Sequence, residues 1–138
     1  MLSAIAAIAG CSRADVVLPP PGDVIGDGTW GGDNVALLMQ DSLAHVHVGC
    51  TNGYFPAPLM LDENRRFNVA GRYVLRAYPV QSGPDLPARF AGVVQGNRLI
   101  FTVAVDDTVE NRLTVLGPVE VVYRREPVMQ ICPICRLH

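Results

Sequence analysis

"RLIFTVAVDD", residues 98–107, alternates without a break and follows the pair Gly96-Asn97. Leu99, Phe101, Val103 and Val105 fall on one side, and Arg98, Thr102 and Asp106 on the other, which is the period of a strand with one face in a core. The residues before Gly96, "ARFAGVVQ" at 88–95, form a second β-rich run, so Gly96-Asn97 is a two-residue hairpin turn. The same alternation groups Phe67, Val69, Gly71, Tyr73 and Leu75 inside, and likewise Val119, Val121 and Tyr123. It leaves Arg72, Arg76, Glu120 and Arg124 outside.

Working outward from that hairpin, no stretch of useful length shows a 3.6-residue period, while short runs of β-formers recur between turn signals. Strands are expected at Trp30–Gln40, Ala44–Cys50, Ala57–Leu61, Phe67–Tyr78, Ala88–Gln95, Arg98–Asp106, Arg112–Leu116 and Val119–Arg124. Asp62-Glu63-Asn64 and Asp106-Asp107 punctuate them. The class is therefore all-β. Seven or eight short strands joined by hairpins bury their edges best by closing into a small antiparallel meander barrel, in preference to an open sandwich. A barrel of eight strands is either filled by its own side chains or holds one small ligand.

The chain has 138 residues and 49% hydrophobic content, enough for one domain with a core of its own. Eleven Lys plus Arg against thirteen Asp plus Glu give a net charge of -2 with the basic residues scattered. That pattern lacks the basic footprint of a nucleic-acid binder, and nucleic acid is set aside as a partner.

The N-terminus reads "MLSAIAAIAGCSRADVVLPPPGDVIGDG". Its apolar part, Leu2 to Ala9, falls far short of the roughly 20 residues that a spanning helix needs. An apolar segment followed by small residues fits a secretory leader, and Ile8-Ala9-Gly10-Cys11 resembles the lipobox of bacterial lipoproteins. The resemblance implies cleavage before Cys11 and lipidation of Cys11 with a diacylglycerol thioether and an amide-linked third chain such as palmitate, a stable anchor because several chains hold better than one. Residues 1–10 are then a signal peptide, and its missing basic start implies an initiation codon placed too late. Residues 11–28 are the lipidated cysteine and a Pro/Gly-rich tether in which Pro19, Pro20 and Pro21 favour an extended chain. Residues 29–138 are the barrel domain with a cysteine-containing tail. The expected location is the bacterial cell envelope, on the outer or cytoplasmic membrane, with the domain in the periplasm or outside the cell.

From Gly28 to about Cys132, the "GTWGG" opening, the "CTNG" turn and the "GRYVLRAY" strand resemble a group of exported bacterial proteins. That resemblance implies a small β-barrel and export, and it carries no activity with it. Gly-Thr-Trp also begins lipocalin-like and avidin-like barrels, in which the tryptophan packs at one barrel end, so Trp30 is expected in the core.

With Cys11 lipidated, Cys50, Cys132 and Cys135 remain in a compartment that permits disulfides. Cys50 shares its face with Val46 and Val48, hence inward, and the tail after Glu126 can fold back to it. A Cys50–Cys132 bond is expected, with Cys135 as the alternative partner. It would close about 80 residues and stabilise by roughly 4 kcal/mol in the chain-entropy model. The rival is a redox Cys-x-x-Cys at 132–135, but three residues after Cys135 leave no helix to lower a thiol pKa. A structural zinc site would need His138 as fourth ligand.

His45 and His47, two apart on one strand, project on one face, a spacing able to hold a transition metal. With no third ligand evident, two solvent-facing histidines are the simpler expectation, and neither a metal nor another cofactor is expected. No Gly-x-Ser-x-Gly, phosphate loop or His-Glu-x-x-His occurs, and no catalytic residue is assigned. The sequence therefore points to a lipid-anchored, non-catalytic module that binds a small apolar ligand or an envelope protein. The alternative is a structural or interaction lipoprotein with a filled barrel.

Overall fold

The computed structural model describes residues 24–77 and 83–132. Its strands are β1 Val24–Ile25, β2 Gly28–Gly32, β3 Val35–Gln40, β4 Leu43–Val48, β5 Thr51–Pro56, β6 Leu59–Met60, β7 Arg66–Val74, β8 Leu86–Gln95, β9 Arg98–Asp107 and β10 Arg112–Tyr123. Strands β2 to β5 and β7 to β10 form a closed eight-stranded antiparallel barrel, each paired with the next and β10 returning to β2. The short ribbon of β1 and β6 stands apart from it and adds Ile25, Leu59 and the nearby Leu61 to the barrel core.

Alternation sets the inside as expected. Leu99, Phe101, Val103 and Val105 are buried, as are Phe67, Tyr73 and Val121, while Arg98, Asp106, Glu120 and Arg124 are exposed. The interior is filled by Trp30, Leu37, Met39, Val46, Phe55, Tyr73, Phe90 and the β9 residues. Trp30 packs on Tyr123 with ring centroids 5.0 Å apart, and Phe90 lies 4.9 Å from Phe55 and 6.1 Å from Tyr73. Three inward glycines make room for these rings. A Cβ at Gly53 would collide with the Tyr73 ring, one at Gly71 with Phe90 and Phe55, and one at Gly92 with Phe101.

The strand count agrees with expectation through compensating differences. The run expected at Trp30–Gln40 is two strands, because Asp33-Asn34 turns the chain, with Asn34 at φ 63°. The runs at Arg112–Leu116 and Val119–Arg124 are one strand, with a bulge between Leu116 and Val119. The strand expected at Ala57–Leu61 is only the two-residue β6, and the barrel strand there is β5, which the sequence hid behind Asn52-Gly53. Those two residues look like a turn, yet the turn is Gly49-Cys50, with Gly49 at φ 61° and Val48 paired to Thr51. Cys50 therefore does not end an inward strand face; it sits half-buried in a hairpin turn. The tether, expected to run to Gly28, ends sooner, since Val24 and Ile25 pair with Met60 and Leu59. The leader, Cys11, Cys135 and His138 lie outside the described residues.

After β10 the chain reverses and runs back over the outer wall beside β2. Val128 accepts from the Asn34 amide at 2.7 Å and donates to the Gly32 carbonyl at 3.0 Å. The backbone at 125–127 covers Gly31, where a side chain could not fit. The tail is tied down by a Cys50–Cys132 disulfide with Cα atoms 5.6 Å apart and a sequence separation of 82. Because that loop holds most of the barrel, the bond restricts the unfolded chain strongly. Cys50→Ala should lower the free energy of unfolding by about 2–5 kcal/mol. Urea denaturation checks this, and reduction should bring the wild-type chain down to the variant's midpoint.

Candidate functional site

A filled interior moves any ligand site to the wall or the ends. The ladder between β5 and β7 is short, covering Asn52–Val74, Gly53–Tyr73 and Tyr54–Arg72. Past Tyr54 the two strands part, and Pro56 at the end of β5 has no N–H to extend the ladder. The outer wall opens there into a cleft of about 620 Å³, within the 300–1,000 Å³ of ligand pockets. Leu43, Pro56, Ala70 and Pro87 make it largely apolar, and Tyr54, Arg72, Arg89 and Asp106 bring polar groups to its lining.

The polar groups there are unequally engaged. Arg72 donates from Nη2 to the Asp85 carboxylate at 3.3 Å and to the Asp85 carbonyl at 3.1 Å, and the Tyr54 hydroxyl donates to the other Asp85 oxygen at 3.3 Å. Arg72 and Asp85 are both open to water, so this pair positions Tyr54 more than it stabilises the fold. Arg89 donates through Nε to Asn68 Oδ1 at 2.7 Å, and no carboxylate within the described residues forms an ion pair with it. The cleft thus joins an apolar floor to a guanidinium that forms no ion pair among the described residues, with the Asp106 carboxylate also in the lining.

His45 and His47 are exposed on the outer wall of β4. His45 stands beside Tyr54 in the ladder, and His47 opens on a smaller cleft under the tail, with Cys50, Met129 and Cys132. Burial, with a smaller contribution from the charge of His45, holds the His47 pKa below the ordinary histidine value. Among the described residues no group of three His, Cys, Asp or Glu side chains converges. The metal reading of the pair therefore gains no further ligand.

Asp107 continues the inward face of β9 and is, among the described residues, the buried charged side chain. Arg76, expected outside, instead bends back past the end of β7 and donates to Asp107 Oδ2 at 2.7 Å, while the amides of Val109 and Glu110 donate to Oδ1 at 3.1 and 3.3 Å. A buried carboxylate needs such partners, and they drew the arginine inward. Tyr73 caps the neighbouring interior: its hydroxyl donates to Thr51 Oγ1 at 2.7 Å, because the single Thr51 proton goes to the Val48 carbonyl. Burial pushes the Tyr73 pKa up to about 12. Both arrangements fix the barrel end.

No protein-family model matches the chain, and no curated protein or solved structure matches it.

The Arg76 hydrogen bond and those from the amides hold the Asp107 pKa below the ordinary aspartate value against the opposing effect of burial. The unfolded chain then binds that proton more tightly than the folded one, so the stabilisation is complete above about pH 4 and is lost as pH falls through the folded pKa. Asp107→Asn should lower the melting midpoint at pH 6 and make the further fall of the midpoint on acidification shallower than in the wild-type chain, as thermal melting across pH checks.

Proposed function

We propose that this chain is a non-catalytic binding module whose ligand site is the outer cleft between β5 and β7, and that its ligand is a small amphiphile with an apolar body and an anionic head. The observation that supports the reading is the pairing of an apolar floor with Arg89 at its edge. The floor favours an acyl-sized group by excluding water from it, and the guanidinium favours a carboxylate or phosphate that can accept two hydrogen bonds. The filled interior argues against a ligand held inside in the lipocalin manner.

The cell envelope is the proposed setting, with Cys11 as lipid anchor and the residues after it as tether. Its support is the Ile8-Ala9-Gly10-Cys11 pattern with the proline-rich run that follows. An amphiphile site on the outer wall of a membrane-tethered barrel would meet its ligand near the surface that supplies it.

Calorimetric titration with dodecanoate, and with dodecanol as the uncharged comparison, tests the site. Dodecanoate should bind in a saturable manner and dodecanol more weakly. Arg89→Ala should weaken dodecanoate about tenfold, the loss of one charge-assisted hydrogen bond, with little effect on dodecanol. Ala70→Trp, on an exposed position facing Arg89 across the ladder, should block both while the circular dichroism is unchanged. Binding that is indifferent to Ala70→Trp, or none at all, would refute the assignment.

A further inference from the structure

The barrel closes unevenly. β10 pairs with β9 from Arg112 to Val122, but with β2 only at Val122 and Tyr123. Pro118, Val119 and Glu120 lie beside Asp33 and Val35, where β2 has already turned into β3. Among the described residues, the first five of β10, Arg112–Leu116, have no strand on their other side, and no backbone hydrogen bond crosses to that edge. Their outward side chains are apolar: Leu113 is 67% exposed and Val115 54%. From Leu113 to Val119 there is no charge to discourage pairing, and the bulge and Pro118 limit the usable edge to those five residues.

Exposed edge strands are normally blunted by charge, proline or a cover, because their free N–H and C=O groups template another strand. An edge that carries a single charge, at its first residue Arg112, and two exposed aliphatic side chains is only lightly guarded against pairing.

We propose that this edge is a dimer interface, at which two copies of the chain join their β10 strands antiparallel about a twofold axis through Thr114. The sequence of the edge selects a second copy. It reads Arg-Leu-Thr-Val-Leu, and a register centred on Thr114 sets Leu113 of each copy opposite Val115 of the other and Thr114 opposite its mate. The three central pairs then match in polarity, and the contact is self-complementary as a twofold interface must be. The same register places each Arg112 against an apolar Leu116 and holds the two guanidiniums about 14 Å apart along the ladder, beyond the screening length at physiological salt. A parallel arrangement would set Arg112 beside Arg112 and Glu110 beside Glu110. The dimer would extend the sheet through β9, β10 and their two counterparts and would gather four aliphatic side chains on its outer face. Five residues make a small contact, so the association is weak, and it leaves the β5–β7 cleft free.

Sedimentation equilibrium of the full chain between about 5 and 500 μM tests this, together with amide hydrogen exchange at both ends of that range. The wild-type chain should pass from monomer to dimer, and the amides of 112–116 should become protected as concentration rises. Val115→Lys, on an exposed side chain, should raise the dissociation constant at least tenfold with an unchanged melting temperature. A chain that stays monomeric throughout would overturn the proposal. So would dimers that survive Val115→Lys, or protection of 112–116 that is already complete in the dilute monomer and so reports a cover from within the chain.

Discussion

Closure of an eight-stranded barrel leaves space inside for little more than one set of side chains, and here that space is filled by aromatic rings set against glycines. Gly53 faces Tyr73 and Gly92 faces Phe101 directly across their ladders, and Gly71 lies against Phe90 and Phe55. The balance of magnitudes favours this arrangement. Glycine inside a strand costs roughly 0.5–1 kcal/mol relative to alanine, whereas forcing a methyl group into a filled core costs roughly 1–3 kcal/mol. Large and small residues must therefore match from strand to strand, and that requirement favours the observed registers of β5 with β7 and of β8 with β9.

A solid interior has consequences at the wall. Among the described residues the ladder is incomplete in two places, between β5 and β7 beyond Tyr54 and along the start of β10, and the proposed ligand site and pairing edge lie there. The first opening is lined by apolar residues and bordered by Arg89; the second carries Leu113 and Val115. The returning tail covers a third region, the outside of β2, and the Cys50–Cys132 bond pins it there. The barrel thus serves as a rigid support, held at one end by Arg76 on Asp107 and Tyr73 on Thr51, for features displayed outside it.

Much of the architecture was legible because alternation is a local signal. In β9 each inward residue is apolar up to Asp107, so one strand sufficed to establish the class. What escaped notice depends on contacts distant in sequence. Asn52-Gly53 reads as a turn because that dipeptide favours one, but Gly53 is glycine to admit the Tyr73 ring from twenty residues away. Missing β5 meant missing Tyr54, and with it the cleft. Arg76 reads as an outward charge by parity, and only the buried Asp107 explains why it bends inward. Asp33-Asn34 was a turn signal in plain sight, set within a run whose apolar residues obscured it. Arg89 carried no signal beyond its charge, since its place in the cleft depends on where β5 and β7 part.

The account stands or falls on the barrel interior being filled. Methyl NMR spectra recorded under increasing xenon pressure address this directly, since xenon enters apolar cavities that water leaves empty. The methyl resonances of Val46, Leu99 and Val103 should stay unmoved as the pressure rises, while any saturable shifts should be confined to outer residues such as Leu43 and Ala70. Saturable shifts of Val46, Leu99 and Val103 would show an internal cavity, and would return the ligand site to the inside of the barrel.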